Sequence, residues 1–387
     1  MPKLLVLTHQ LPSPFGGGVS VAYGTLKALA QQGWTLRVLS FADRERLTQS
    51  PPEGIPVETV PLSYRNTWWH FLKSVGSEYP FTTQKYRSSA FAQRLSRILA
   101  ADPPDLVWFD HTHMGVYVEA VRRWSPAPTV LRAHNAEHQL WLQYSQLSPQ
   151  FWKRGALRFQ AHKMYHYERR VYAQVDRVIF LSERDRQAFP MPHARVIPPG
   201  VDLEYFTPQE VSPERKHLIF LGSMEWIPNL DGLRWFLKEV FPQLRKALPG
   251  LRLWVVGKNP PPNLETPGVK ITGFVPDVRV YIRKGGLFVV PLRMASGVQI
   301  KILEALAMGI PVVTSEAGAA GVPHLRPALA IARTPEEWVQ QVLGLFTSPE
   351  RYYRLREEGL RRVRRYHRWE QVGFRLSQEL QTLLKTT

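Results

Sequence analysis

Short apolar, β-branched runs alternate with longer amphipathic stretches along almost the whole chain. In the first half the runs are KLLVLTH (3–9), TLRVLSF (35–41), VETVPL (57–62), DLVWFD (105–110), TVLRAH (129–134), RVIFLS (177–182) and RVIP (195–198). In the second half they are HLIFLG (217–222), RLWVVG (252–257), VKITGF (269–274), GLFVVP (286–291), PVVTS (311–315) and ALAIA (328–332). Runs this apolar suit strands buried on both faces, and helical spacing fills the gaps, as in 18–32 and 230–247. The pattern predicts an α/β chain of two doubly wound, Rossmann-like parallel sheets.

The two halves are divided by punctuation. Pro198, Pro199 and Gly200 stop one strand, Asp202, Pro208 and Pro213 mark an exposed connection, and the next strand begins at His217. We therefore expect domains at 1–205 and 206–368, followed by an amphipathic helical tail at 369–387. A length of 387 residues lets each domain bury its own core.

Composition narrows the class. Hydrophobic residues at 44% and charged residues at 21% describe a soluble globular protein. No apolar run reaches bilayer-spanning length, and MPKLLVLTHQLPSPF reads as a first strand and loop instead of a signal peptide. The absence of cysteine excludes disulfides, thiolate metal sites and a cysteine nucleophile. The expected location is cytoplasmic, with the inner face of the membrane as an option.

The net charge is +18, and arginine supplies 36 of the 50 basic residues. That excess points to anionic partners: a nucleotide sugar, a lipid phosphate, a membrane surface or nucleic acid. Nucleic acid ranks low, because the arginines are spread along the chain and are densest only at 361–368. TWWHFLKS (67–74) and FWKRGALRFQAHKMYHYERR (151–170) set aromatics beside basic residues at helical spacing. Such stretches suit either an interfacial helix on anionic lipid or core packing with solvated charges.

The richest segment is FVVPLRMASGVQIKILEALAMGIPVV (288–313). It predicts a strand at 287–290, a small-residue turn at 295–297, a helix at 299–308 closed by Gly309, and a second strand at 310–314. The turn lies at the carboxyl end of a strand, where open parallel sheets bind ligands. Gly297 permits close backbone approach, and the amides of Gly297 and Val298 lead into a helix N-terminus that attracts phosphate. Glu304 could accept hydrogen bonds from a ribose. Gly16, Gly17 and Gly18 follow the first strand and open another helix, again a place for a diphosphate or an acceptor. Val21 stands where a dinucleotide fingerprint read from Gly16 needs its third glycine, which argues against a dehydrogenase. His111 and His113 form an H-x-H after the strand ending at Asp110 but lack an evident third metal ligand in the sequence. They are assigned to the loop or to acceptor contacts, and no metal site is expected.

KILEALAMGIPVV resembles the donor-binding motif of the retaining GT-B glycosyltransferases of family 4. The glycine-rich first loop, VIPPGVDLEYFTP (196–208) and FLGSMEWIPNLDG (220–232) resemble further motifs of that family, in the family's order. The resemblance implies two Rossmann-like domains facing across a cleft, with the C-terminal helix crossing back onto the first. It implies a hexosyltransferase that moves a sugar from a nucleoside diphosphate sugar to a hydroxyl acceptor. Lipid-linked acceptors are among the candidates, and the setting would be cell-envelope, exopolysaccharide or glycolipid synthesis. A GT-B nucleotide-sugar epimerase or hydrolase is the alternative.

Further roles follow from the same resemblance. Glu304 matches the second of two glutamates, while Ser296 stands where the first is usual. His134, with Asn135, matches the histidine that supports the transition state beside the reacting sugar carbon. Gly222 and Ser223 match the start of the phosphate-clamping segment, but its usual Arg and Lys are absent. Lys301 and Lys258 are the substitutes to test. Gly273, Phe274 and Val275 stand where relatives hold the base, and Ser296, Gly297, Val298 and Ile300 would line the donor. No Asp-x-Asp triad occurs, so no metal cofactor is expected. Retention would then proceed by attack on the face of departure, with the leaving phosphate taking the acceptor's proton.

Overall fold

The computed structural model describes residues 1–14, 16–42, 53–62, 68–210, 212, 214, 216–262 and 264–385. Phe15, Thr67, Pro213 and the last two residues of the 369–387 tail, all used in the reading above, lie outside these. Two compact units form: Met1–Gly200 with Trp369–Thr387, and Val201–Arg368. The expected change at 205 thus falls at Gly200. The reason is that Val201 donates its N–H to the His367 carbonyl (2.8 Å), and both Val201 and Phe206 are buried in the core of the second unit.

The first unit runs β1 (Lys3–Thr8), α1 (Gly18–Gln31), β2 (Thr35–Ala42), β3 (Val57–Pro61), α2 (Trp68–Val75), α3 (Ser89–Ala101), β4 (Leu106–Asp110), α4 (Val118–Trp124), β5 (Thr129–Ala133), α5 (Glu137–Leu147), α6 (Phe151–Gln174), β6 (Arg177–Phe180), α7 (Glu183–Ala188) and β7 (Ala194–Val196). Its parallel sheet has the order β3-β2-β1-β4-β5-β6-β7. The order reverses between β1 and β4, so the loops after these two strands flank the crevice where such sheets take ligands.

The second unit runs β8 (His217–Leu221), α8 (Ile227–Trp235), α9 (Phe241–Ala247), β9 (Arg252–Val256), β10 (Val269–Gly273), α10 (Arg279–Ile282), β11 (Leu287–Val290), α11 (Ile300–Ala307), β12 (Val312–Ser315), α12 (Glu316–Ala319), β13 (Leu329–Ala332), α13 (Pro335–Thr347) and α14 (Pro349–Tyr366). The sheet order is β10-β9-β8-β11-β12-β13, reversing between β8 and β11. The helix expected at 230–247 is interrupted by a π turn, Phe236–Val240. Pro242 has no N–H to give and its ring would crowd the carbonyl four residues back, so the turn widens there.

Helix α15 (Trp369–Leu384) packs on α1 in the first unit. Val372, Leu376 and Leu380 are buried with Leu26, Leu29 and Trp34, and the Trp34 indole donates to Ser377 Oγ at 2.9 Å. Gly24 and Gly200 make room for the Trp369 ring. A Cβ on either would come within 2.2 and 2.5 Å of it. Among the described residues no helix is long and apolar enough to cross a membrane.

Candidate active site

In the second unit, the residues after β8 and β11 converge at the reversal point. Gly222 follows β8 and packs on the backbone of Gly257, whose Cβ, if present, would meet the Gly222 carbonyl at 1.8 Å. Asn229, near the start of α8, is buried; its Nδ2 donates to the Ser223 carbonyl (2.9 Å). Its Oδ1 then accepts from Lys301 Nζ at 2.6 Å. Lys301 belongs to the first turn of α11 and stands 5.3 Å from the centre of the Phe220 ring. Desolvation pushes its ammonium down to about 7, although the Glu304 charge opposes that. Glu304, on the same helix, is buried, and burial pushes its carboxyl up to about 7 against the pull of Lys301. Two desolvated groups of opposite type thus share one helix face, each close to its titration point at neutral pH.

Helix α11 begins at Ile300 with Gln299 as N-cap, and neither a capping side chain nor an acidic residue occupies its first turn. Gly297 and Val298 therefore belong to the approach to the helix, short of its first turn. Gly297 takes φ +69°, and Gly321 lies so close that a Cβ there would meet the Gly297 carbonyl at 2.0 Å. Ser296 is buried, and its carbonyl accepts from Gln299 Nε2 (3.3 Å). The positive end of α11, with Lys301 in its first turn, forms an electropositive corner suited to a diphosphate.

Lys258 and Gly273 come together at the ends of β9 and β10, where Gly257 donates its N–H to the Gly273 carbonyl (3.0 Å). Gly273 takes φ +70°. Phe274 is 64% exposed, and Lys258 Nζ stands 4.7 Å from the centre of its ring. Val275 follows, half-buried. Lys258 accordingly faces the Phe274 ring, whereas Lys301 is held by Asn229 beside the Phe220 ring.

In the first unit, β4 and β5 run in register, placing Asp110 opposite Arg132. Arg132 Nε donates to Asp110 Oδ1 (2.7 Å), and Arg132 Nη1 reaches Thr25 Oγ1. His134, just past β5, puts Nε2 2.9 Å from the same Asp110 oxygen. Burial alone would raise the Asp110 carboxyl, but Arg132 and His134 hold it well below the usual range. Ionised Asp110 makes His134 Nε2 the donor and turns Nδ1 the other way, towards Gly18, where a Cβ would lie 3.4 Å from it. Gly17, at φ +58°, is the N-cap of α1.

His111 leaves β4 with φ 94°, an unusual angle for a residue other than glycine. Its Nδ1 lies 2.6 Å from His113 Nδ1, and its Nε2 lies 3.5 Å from Glu137 Oε1. Asn135 Nδ2 also donates to Glu137 Oε1 (3.0 Å). Burial lowers both imidazoles and pushes the Glu137 carboxyl up to about 7. One ring nitrogen from each histidine and one Glu137 oxygen all lie within 4.8 Å of one another. Glu137 thus stands beside His111 and His113, where the sequence displayed no third partner. Asn229, Asp110 and Glu137 were not singled out from sequence. Each acts through a partner on another strand or helix, which spacing along the chain does not display.

Comparison with known proteins agrees with this architecture. The family model "Glycosyltransferase Family 4" matches residues 15–205, and "Glycosyl transferases group 1" matches residues 215–348. A curated relative, D-inositol 3-phosphate glycosyltransferase of Segniliparus rotundus, is 28% identical over 204 residues, 45% of this chain and 44% of its own. The matched region thus spans under half the length of that relative. Sucrose-phosphate synthase from Thermosynechococcus elongatus superposes with a TM-score of 0.74 over the whole of both chains, at 16% identity. Anabaena HepE, solved in complex with UDP-glucose, gives 0.70 at 15% identity over 99% of this chain and 100% of its own. WaaG, a glycosyltransferase involved in lipopolysaccharide biosynthesis, gives 0.65 at 17% over 96% and 98%. With one family model on each Rossmann-like unit, the chain belongs to the group 1, family 4 glycosyltransferases of GT-B fold.

Proposed function

We propose that this protein transfers a hexose, with retention, from a nucleoside diphosphate sugar to a hydroxyl acceptor. The single observation that carries the reading is the Lys301 ammonium, held by Asn229 where the segments after β8 and β11 meet at the sheet's reversal point. The donor diphosphate would lie against Gly297, Val298 and Ile300, with Lys301 meeting the leaving-group charge in place of a bridging metal. Glu304 would accept from the ribose hydroxyls, and the exposed Phe274 ring with the Gly273 and Val275 backbone would hold the base. Ser223 and Gly222 keep Asn229 in place. In the first unit, His134 would present Nδ1 to the reacting sugar carbon, its ring fixed by Asp110. The leaving phosphate would take the acceptor's proton on the face of departure.

HepE was solved with UDP-glucose, which makes that compound the first donor to try. The involvement of WaaG in lipopolysaccharide biosynthesis supports a setting in envelope or exopolysaccharide synthesis. An exposed aromatic and basic surface on α2 and α6 supports a lipid-linked acceptor reached from an anionic membrane. The test is a thermal-shift and hydrolysis assay over common nucleotide sugars, run with Lys301→Met beside the parent. One donor at about 100 times its Kd should stabilise the parent by about 2.7 kcal/mol and leave the variant unmoved. Equal stabilisation of both proteins, or of neither by any donor, would overturn the reading.

A further inference from the structure

Beside His134, the first unit holds a cluster that the transfer reaction does not require. His111, His113 and Glu137 come from the β4 loop and from the first residue of α5, and all three are buried. The two Nδ1 atoms approach to 2.6 Å, closer than an ordinary N–H···N hydrogen bond, and one nitrogen of each ring lies within 4.8 Å of a Glu137 oxygen. Glu137 Oε1 lies 3.5 Å from His111 Nε2. Among the described residues no lysine or arginine pairs with Glu137, and its surroundings are acidic. Glu168 accepts from the Glu137 backbone N–H (2.7 Å), and Asp185 accepts from that of Ala136 (3.1 Å). A buried carboxylate beside two others, facing two imidazoles, is poorly compensated without a cation. The approach is also pre-set. Asn135 donates to the same Glu137 oxygen, and the His113 backbone N–H reaches His111 Nδ1 (3.3 Å).

We propose that His111, His113 and Glu137 form a binding site for a divalent metal of the zinc class. Two imidazoles and one carboxylate are a ligand set that zinc accepts with one position left open for water or a substrate hydroxyl. Binding at the two Nδ1 atoms moves the hydrogen between the facing rings to an Nε2 position and replaces the 2.6 Å contact with two metal bonds.

Two other histidine pairs could bind metal and must be separated from this one. His162 and His166 are exposed on α6 with ring centres 4.3 Å apart, and His324 Nε2 lies 2.8 Å from His367 Nε2 in the second unit. The experiment uses tag-free, chelator-treated protein carrying His162→Gln and His166→Gln, with visible absorption read during Co2+ titration and Zn2+ competition. The expected result is one equivalent of Co2+ with ligand-field bands of a four- or five-coordinate site, displaced by Zn2+. Adding Glu137→Gln or His113→Gln should weaken binding about 100-fold or more, while His324→Gln leaves it unchanged. If either cluster variant fails to fold, X-ray absorption of the zinc-loaded parent decides. Two imidazoles and a carboxylate in the first shell, retained in His324→Gln, support the site. No stoichiometric binding, binding that survives Glu137→Gln in folded protein, or a shell lost with His324→Gln overturns it. The readout is metal binding alone, so the outcome stands apart from whether a sugar is transferred.

Discussion

Among the site residues, Lys301 makes the sharpest prediction. Its pKa of about 7 is far below the ordinary 10.5, because the site desolvates it. A diphosphate favours the charged form, so binding takes up a proton wherever free Lys301 is neutral. Donor affinity is then highest below pH 7 and falls above it, by up to about tenfold per pH unit. A nucleotide sugar is the right probe, since its phosphodiesters do not titrate there. Calorimetry from pH 6 to 9 in a Glu304→Gln background, which removes the other group titrating near 7, should show this slope, and none once Lys301→Met is added. A Glu304→Gln protein whose affinity is flat across that range would remove Lys301 from the phosphates. Asp110 gives a second test. Asp110→Asn leaves the buried Arg132 without its carboxylate and lets the His134 ring turn. Breaking one partner of a buried pair costs about 3–5 kcal/mol. Urea unfolding should register that loss, while Asp176→Asn, made for comparison on the loop before β6, should cost less. Lys301 and His134 were nominated through the resemblance to family 4, at a helix start and a strand end that pattern reveals. Asn229 and Asp110 escaped because their meaning depends on partners: Asn229 meets a lysine 72 residues away, and Asp110 meets Arg132 only through the β4–β5 register.

At the level of elements the strands were legible to within a residue or two, for a physical reason. Strands enclosed on both faces must be apolar throughout, so 287–290 and 312–315 stand out from the helices around them. Ends were less legible. Helix α11 begins at Ile300, and the glycine turn before it is shaped by something distant in sequence, the contact with Gly321. That contact can be tested. In Gly321→Ala the new methyl would lie 2.0 Å from the Gly297 carbonyl, and backbone on both sides must shift. Overpacking of this kind costs about 1–3 kcal/mol. The shift would also move the amides placed against the donor. Gly321→Ala should therefore lower both the melting temperature and donor affinity. Gly33→Ala offers a contrast, since nothing lies within 4 Å of its Cβ and only its φ of +83° resists the change. It should cost stability and leave affinity intact. A Gly321→Ala protein that binds donor normally would show the turn to be a bystander.

Across the whole molecule, the net charge of +18 excludes little by itself, because spread arginines serve folding, solubility and binding alike. The structure adds where apolar surface accompanies that charge. Phe151 is 83% and Trp152 63% exposed at the start of α6, next to Lys153 and Arg154, with Arg158 and Phe159 about two turns on. On α2, Trp69, Leu72 and Val75 are exposed beside Lys73. The two helices are tied together by Gln160 Nε2 to Ser74 Oγ (3.1 Å) and by Lys163 to the Ser74 and Ser77 carbonyls. Core packing therefore does not account for these aromatics, although it accounts for Met164, Tyr167 and Tyr172 on the same helix. Against an anionic surface each basic residue contributes about 1 kcal/mol, so Lys153, Arg154 and Arg158 together are worth about 100-fold in binding. The protein should sediment with phosphatidylcholine vesicles that contain phosphatidylglycerol and stay in solution with phosphatidylcholine alone. At about 1 M salt the Debye length falls to about 3 Å and the electrostatic share of binding should vanish. Replacing Phe151 and Trp152 by serine should weaken binding at every salt concentration, since it removes insertion and leaves charge. Equal binding to both vesicle types, or binding indifferent to salt and to these two residues, would leave the exposed aromatics for a protein partner.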